Sequence, residues 1–397
     1  MKRREFIKTG LTGLAAIAVG SVSLPHLFRV EAFAADRIIE LTMDPALVEM
    51  VDGVQVFHWL FGYPSTGPSF PGPVIFATAG DDITLKLTNN LKEPHAFQIV
   101  GTDIKTLPID PGQNRMLRFT APAAGSYLYL DPLNEPVNRV LGLHGALVVS
   151  PASGITPYNF PTPAVTRLFQ DLGHSDQFPP HAYSPPGWQP ERFRVWLQHQ
   201  IDPSFNARVM ADFLAGRPST LKGSELKTKF LPRYFTINGK SGAFAAHDKT
   251  IALEGSIGQP MLVRILNSGL FTHSNHLHAN HFYLLAVNNE VQENVLSLDS
   301  LAIKPLDRID WLVPFRRPPD IAGDENTPLR TLIANELGLT ISGPKGSPGY
   351  SQSPLVYPMH CHMEPSQTAA GGNYPQGSVA HFNFLGDLDG TKFPNTM

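Results

Sequence analysis

Hydrophobic and polar positions alternate with a period of two over much of this chain, in short runs. Ile83-Thr-Leu-Lys-Leu-Thr is the clearest case. Side chains on a strand point to opposite faces in turn, so such a run predicts a strand with one buried face. The same pattern predicts strands at Arg37 to Met43, Val54 to Phe61, Ile83 to Asn89, Arg115 to Thr120, Ser126 to Leu130 and Ala146 to Ser150. Turn formers such as Phe70-Pro-Gly-Pro73 separate them. Many short strands with frequent turn signals predict a Greek-key β-sandwich over residues 35–151.

A second set over residues 231–397 begins at Arg233-Tyr-Phe-Thr-Ile-Asn-Gly239. It continues through Gly258 to Asn267, His281 to Val287 and Asp307 to Val313. Between the two sets, residues 152–230 are rich in Pro and aromatic side chains, as in Phe178-Pro-Pro-His-Ala-Tyr-Ser-Pro-Pro-Gly-Trp188. Proline at this density rules out a continuous helix or a central strand for that stretch. This connection is expected to wrap the sandwich surfaces, with one strand at Phe193 to Gln198 and a helix near Ala207 to Leu214. An insertion from Pro314 to Pro354 carries a predicted short helix at Thr331 to Leu337. Long insertions tend to be lids or partner surfaces.

Two stretches concentrate the chemistry: His273-Ser-Asn-His276-Leu-His278 and Pro358-Met359-His360-Cys361-His362. On strands, His276 and His278 would share a face. His360 and His362 would point one way and Cys361 the other. Thiolate and imidazole together suit copper. The bland alternative, histidines that merely satisfy a core or a surface, is the better reading for any single one. It is harder to hold for five histidines and the one cysteine of the chain falling on both motifs.

At these residues the sequence resembles the multicopper oxidase family, whose last cupredoxin domain carries His-x-x-His-x-His and His-Cys-His. The resemblance implies an all-β fold of two cupredoxin-like Greek-key sandwiches with a Pro-rich connection. Pro71-Gly72-Pro73, Leu87-Thr-Asn-Asn-Leu91, Gly125-Ser-Tyr-Leu-Tyr129 and Gly142 to Val149 extend it to the first domain. It implies that His273 and Cys361 bind an electron-accepting type 1 copper and carry the catalytic role. His95 and His276 match the two type 2 ligands, and His278, His360 and His362 match three of the six ligands of the type 3 pair. The first domain departs from the family. His95-Ala96-Phe97 stands where His-x-His is expected, and Leu130-Asp131-Pro132 where a second His-x-His belongs. Ser366 and Gly371 occupy the places of the second type 1 His and the axial group, with Met363, Glu364 and His381 as conceivable substitutes. His144, His58, His174, His181 and His199 are not read as ligands. Fewer than four coppers per chain are therefore expected, with a metal ion or small molecule as reductant and dioxygen as a conceivable oxidant.

Composition adds the address. Lys2-Arg3-Arg4-Glu5-Phe6-Ile7-Lys8 resembles a twin-arginine export signal, Thr9 to Phe28 is uncharged and only mildly apolar, and Ala32-Phe33-Ala34 supplies a cleavage site. Residues 1–34 are expected to be removed, giving a periplasmic or extracellular protein without a stable membrane anchor. That leader holds five basic and two acidic residues, so the formal charge moves from −3 to −6 and no basic stripe remains for nucleic acid. A single cysteine forms no internal disulfide. Two other readings use the same residues: a copper-free scaffold or interaction protein of the cell envelope, and periplasmic copper binding without turnover. The short laccases of this family assemble as trimers, yet the altered first-domain motifs would be altered in every copy, so the oligomeric state stays open.

Overall fold

Among the described residues, four larger β-sheets with apolar clusters between them stand beside a two-stranded one, Tyr183–Ser184 with Gly187–Trp188. The computed structural model describes residues 37–173, 183–184, 187–188, 192–318, 354–368, 376–387 and 392–393. The leader, the predicted helix at Thr331 to Leu337, His174, His181 and Gly371 lie outside the described residues.

The first sheet runs in the order Gly67–Pro68, Gln55–Tyr63, Arg37–Glu49, Asp82–Asn89, Asn114–Thr120. The second is ordered Ile75–Thr78, His144–Ser150, Gly125–Leu130, Gln98–Ile99. Alternation decides their packing. Tyr127, Tyr129, Leu147 and Val149 join Leu41, Phe57, Phe61 and Leu85 in the core between these two sheets. Leu128, Leu130, Ala146 and Val148 face the other way, into a second cluster shared with Val195, Leu197, Leu262, Leu266 and Leu312. Each fully buried side chain of this size contributes roughly 1.5–3 kcal/mol of transfer free energy, so both faces of the second sheet are driven indoors. A buried polar link crosses the same layer. Arg264 donates to Asp310 at 2.8 Å, and the Asp310 carboxylate also accepts from Ser126 and Tyr158.

The third sheet is ordered Tyr234–Ile237, Phe193–Ile201, Met261–Asn267, Arg308–Val313, Phe282–Val287, Glu290–Leu298. The fourth is ordered Leu253–Gly255, Val379–Phe384, Leu355–Cys361, His273–Leu277, Ser300–Ile303. Between them lies a cluster that includes Trp196, Ile265, Trp311, Met359 and Phe382. This mostly-β architecture agrees with the expected pair of sandwiches.

One expectation needs correcting. The strand expected at Phe193 to Gln198 forms, as Phe193–Ile201, but it is an interior strand and not part of a surface wrap. It pairs parallel with Met261–Asn267 and antiparallel with Tyr234–Ile237, and all nine of its residues are buried. Val195, Leu197 and His199 face the first pair of sheets, while Trp196, Gln198 and Gln200 face the fourth sheet. Because both faces are covered, the strand shows no polar-out pattern. The expected helix appears as Pro203–Leu214, with Asp202 capping it by accepting from the Ser204 backbone N–H and Asn206 donating to Phe57 O. A second helix, Pro163–Gly173, was not expected. Its Val165 and Phe169 close the cluster between the second and third sheets.

Candidate metal centre

The strands His273–Leu277 and Leu355–Cys361 pair antiparallel, with Asn275 opposite Cys361, His276 opposite His360 and Leu277 opposite Met359. Register and pleat then sort the side chains. His273, Asn275, Leu277, Met359 and Cys361 are buried in the sandwich, while His276, His278 and His360 are half-buried and His362 is exposed on the opposite face. The spacing in the sequence predicts this division.

The outward face carries four imidazoles in mutual contact. Ring centroids lie 4.7 Å apart for His276 and His278, 4.7 Å for His276 and His362, 5.1 Å for His278 and His360, and 5.0 Å for His360 and His362. His278 Nε2 and His360 Nε2 are 3.0 Å apart. His276 donates Nδ1–H to the Asp299 carbonyl at 3.1 Å, which leaves its Nε2 lone pair available. Burial, and then the charge that neighbouring histidines would carry, push His278 and His360 below the usual imidazole range. Both are therefore neutral at neutral pH, the form that binds metals.

On the inward face, Cys361 Sγ is 3.5 Å from His273 Nδ1 and 3.2 Å from the Ser274 backbone N–H. Burial holds His273 down to about 4. Its Nε2 meets the Nε2 of Gln200 at 2.5 Å. Ser366, where a second type 1 imidazole is expected, is buried, and its hydroxyl donates to Met363 O at 2.7 Å. His381 packs against His247 at 4.6 Å between centroids.

His95 sits elsewhere in the fold. It is fully buried, its Nδ1 is 2.6 Å from Asp131 Oδ2, and its ring lies 5.1 Å from that of Trp59. Among the described residues no hydrogen bond or ring contact joins it to the four outward imidazoles. The Asp131 carboxylate also accepts from Asn138 and from the backbone N–H groups of Ala96 and Leu133. His58, His144 and His199 are buried too, each with a ring nitrogen donating to a backbone carbonyl. The sequence pattern missed Gln200 and the Asp131 partner.

The multicopper oxidase domain family matches residues 65–154. Among curated proteins, an L-ascorbate oxidase of Cucumis sativus is 36% identical over 119 residues, 26% of this chain and 20% of that protein. A copper-containing nitrite reductase of Alcaligenes xylosoxydans xylosoxydans is 30% identical over 185 residues, 43% of this chain and 54% of that protein. The chain thus spans about a fifth of that oxidase and about half of that reductase. The solved blue copper oxidase of Nitrosomonas europaea superposes with a TM-score of 0.60 at 16% identity, covering 88% of this chain and 86% of that one. The copper nitrite reductase of the same organism gives 0.53 at 17%, covering 91% and 98%. Residues 65–154 are thus similar in sequence to the multicopper oxidase family, and the chain shares its fold with copper oxidases and copper nitrite reductases. The structural likenesses carry the fold, and the sequence matches to oxidases and a reductase place the chain among relatives of copper oxidoreductases.

Copper is the metal of these similar proteins, so the donor sets can be tested against it. Imidazole nitrogens bind such ions at about 2.0–2.1 Å, so two ligands at 90–109° stand roughly 2.9–3.4 Å apart. The 3.0 Å separation of His278 and His360 lies in that range. His276 adds the arrangement typical of a ligand, one ring nitrogen anchored to a carbonyl and the other open. Among the described residues no three histidine, cysteine or carboxylate side chains already converge on one point. The outward face therefore fits one copper seated on a pair of imidazoles, with the rings of His276 and His362 beside that pair. The inward sulfur and nitrogen, like the two outward Nε2 atoms, also stand at hydrogen-bond distance, and there the contact of His273 Nε2 with Gln200 bears on what the pair can bind.

Proposed function

We propose that the chain is an exported copper-binding oxidoreductase that oxidises small reductants or metal ions, with fewer than four coppers per chain. The observation that carries this reading is the two-imidazole bite of His278 and His360 in the middle of a four-histidine face on a cupredoxin-type sheet. When bound there, copper would supply one-electron exchange with a reductant. The chain's own residues do the rest. The Asp299 carbonyl fixes the His276 tautomer, ring-to-ring contacts hold the imidazoles in place, and their half-exposed position leaves the face open to a reductant. Export rests on the twin-arginine-like leader.

The second reading, a copper-free scaffold, draws its support from His95. A ligand position of the family is here locked to Asp131 in a closed interior. Copper reconstitution followed by metal analysis and EPR separates the two. The oxidoreductase reading expects about one copper per chain with nitrogen hyperfine structure. Its affinity should fall by at least about 100-fold in His278→Ala or His360→Ala, since even outer-shell losses cost 10–100-fold. A folded chain that stays free of copper would leave the scaffold.

A further inference from the structure

We infer that Gln200 locks His273 in the tautomer that carries its proton on Nδ1, and so closes the Cys361–His273 pair to copper. The orientation of the Gln200 amide is set by its other end. Oε1 accepts from the backbone N–H of Leu270 at 2.6 Å and of Phe271 at 3.0 Å. Turning the amide over would aim an NH₂ group at two N–H groups, so Nε2 must be the atom that faces His273. That amide nitrogen is a donor only, and it meets His273 Nε2 at 2.5 Å. His273 Nε2 therefore accepts, and the ring proton resides on Nδ1, where it points at Cys361 Sγ 3.5 Å away. The sulfur takes a second donor from the Ser274 backbone at 3.2 Å.

The lock is built in. Gln200 and His273 are fully buried, and Gly269 lets the amide approach, because a Cβ there would fall 2.0 Å from Gln200 Oε1. Copper on this pair would displace the thiol proton to solvent and need the Nδ1 lone pair. The Nδ1 proton would have to move to Nε2, head to head with the amide N–H of Gln200. A distance of 3.5 Å between sulfur and nitrogen would by itself suit either a shared metal or a hydrogen bond, and the amide decides between them. Gln200 is thus a positioning residue. It confines copper to the outward imidazoles and denies the pair the electron-accepting role that the family resemblance assigns to it.

Only the placement of copper on the outward face rests on the function proposed above; the tautomer can be read in the metal-free chain. Long-range ¹H–¹⁵N correlation spectra of the ¹⁵N-histidine-labelled protein, with His273→Gln for assignment, should show His273 protonated at Nδ1. Protonation at Nε2 would overturn the inference. Titration with copper(II) should give no thiolate-to-copper charge-transfer band in the wild-type chain, and a band removed by Cys361→Ser would likewise overturn it. Gln200→Glu is isosteric: one oxygen keeps the Leu270 and Phe271 N–H groups and the other accepts from Nε2–H. This variant should develop the band, and adding Cys361→Ser should abolish it. A folded Gln200→Glu chain with Nε2 protonated and still no band would show that the tautomer is not what closes the site.

Discussion

Two groups of four histidines occupy this molecule under opposite conditions. His58, His95, His144 and His199 are buried, and each spends a ring nitrogen on a carbonyl or carboxylate. His276, His278, His360 and His362 lie on an outward sheet face, where the rings contact one another. Burial costs an imidazole its charged form, so His58, His144 and His199 are held neutral by their surroundings. Desolvation is the largest cause of the low values: His58 falls to about 4 and His144 to about 3. Neighbouring rings add to the lowering in both groups, at His144 and His199 as at His278 and His360, but the rings of the second group are half-buried or exposed. The same side chain is thus a structural part in one region and an available ligand in the other. Enclosure and partner choice make the difference.

The sharpest way to break this comparison is to remove a partner from the enclosed group. Asp131→Ala would strip His95, Asn138 and two backbone N–H groups of their shared acceptor in a closed interior. Breaking such a buried pair costs about 3–5 kcal/mol, read as a shift in the urea midpoint. A loss below about 1 kcal/mol would show that the Asp131 site admits water, and would reopen His95 as a ligand.

Next in size is the response to acid. The unfolded chain protonates His58 and His144 near 6.5, while the folded chain holds them at about 4 and about 3. Between those values the unfolded state binds more protons. Stability is therefore complete above about pH 6.5 and declines as pH falls through the window. At pH 5 each group removes about 2 kcal/mol. His199, also pushed well down by burial, acts in the same direction. Denaturant midpoints of the metal-free chain at pH 7 and pH 5 should separate accordingly, and coincident midpoints would contradict the buried assignment.

The fold and half of the site were legible in the sequence because strand periodicity is local. The alternation within His273-Ser-Asn-His276-Leu-His278 and His360-Cys361-His362 sends His273 and Cys361 inward and the other four imidazoles outward, as observed. The partners were not legible, because they arrive from distant segments. Gln200 lies 73 residues from His273, and Asp131 lies 36 from His95. Both sit where side chains of different strands meet, and no periodicity within one strand reports on that. The strand at Phe193–Ile201 was legible from Phe193 to Gln198, but its interior place was not, for a related reason. A strand covered on both faces loses the polar-out signal, and its Gln198, His199 and Gln200 imitate a surface segment.

The smallest effect on stability, and the one that most sharpens the contrast, belongs to the outward group. In His276→Ala or His362→Ala the lost ring was half-buried or exposed, and its removal orphans no enclosed donor; for His276 only the Asp299 carbonyl loses a partner. The urea midpoint of the metal-free chain should move by no more than about 0.5 kcal/mol. Copper should feel the change more, since these rings flank the His278 and His360 pair, and a loss on the order of 10-fold in affinity is expected. The two readouts together separate ligand from packing. A copper excess of 100 times the dissociation constant stabilises the wild-type chain by about 2.7 kcal/mol. At the same free copper concentration a variant weakened tenfold keeps about 1.4 kcal/mol of that. If His276→Ala instead cost the metal-free chain 2 kcal/mol or more, the outward rings would be a packed layer like those of the enclosed group, and the distinction between the two would fall.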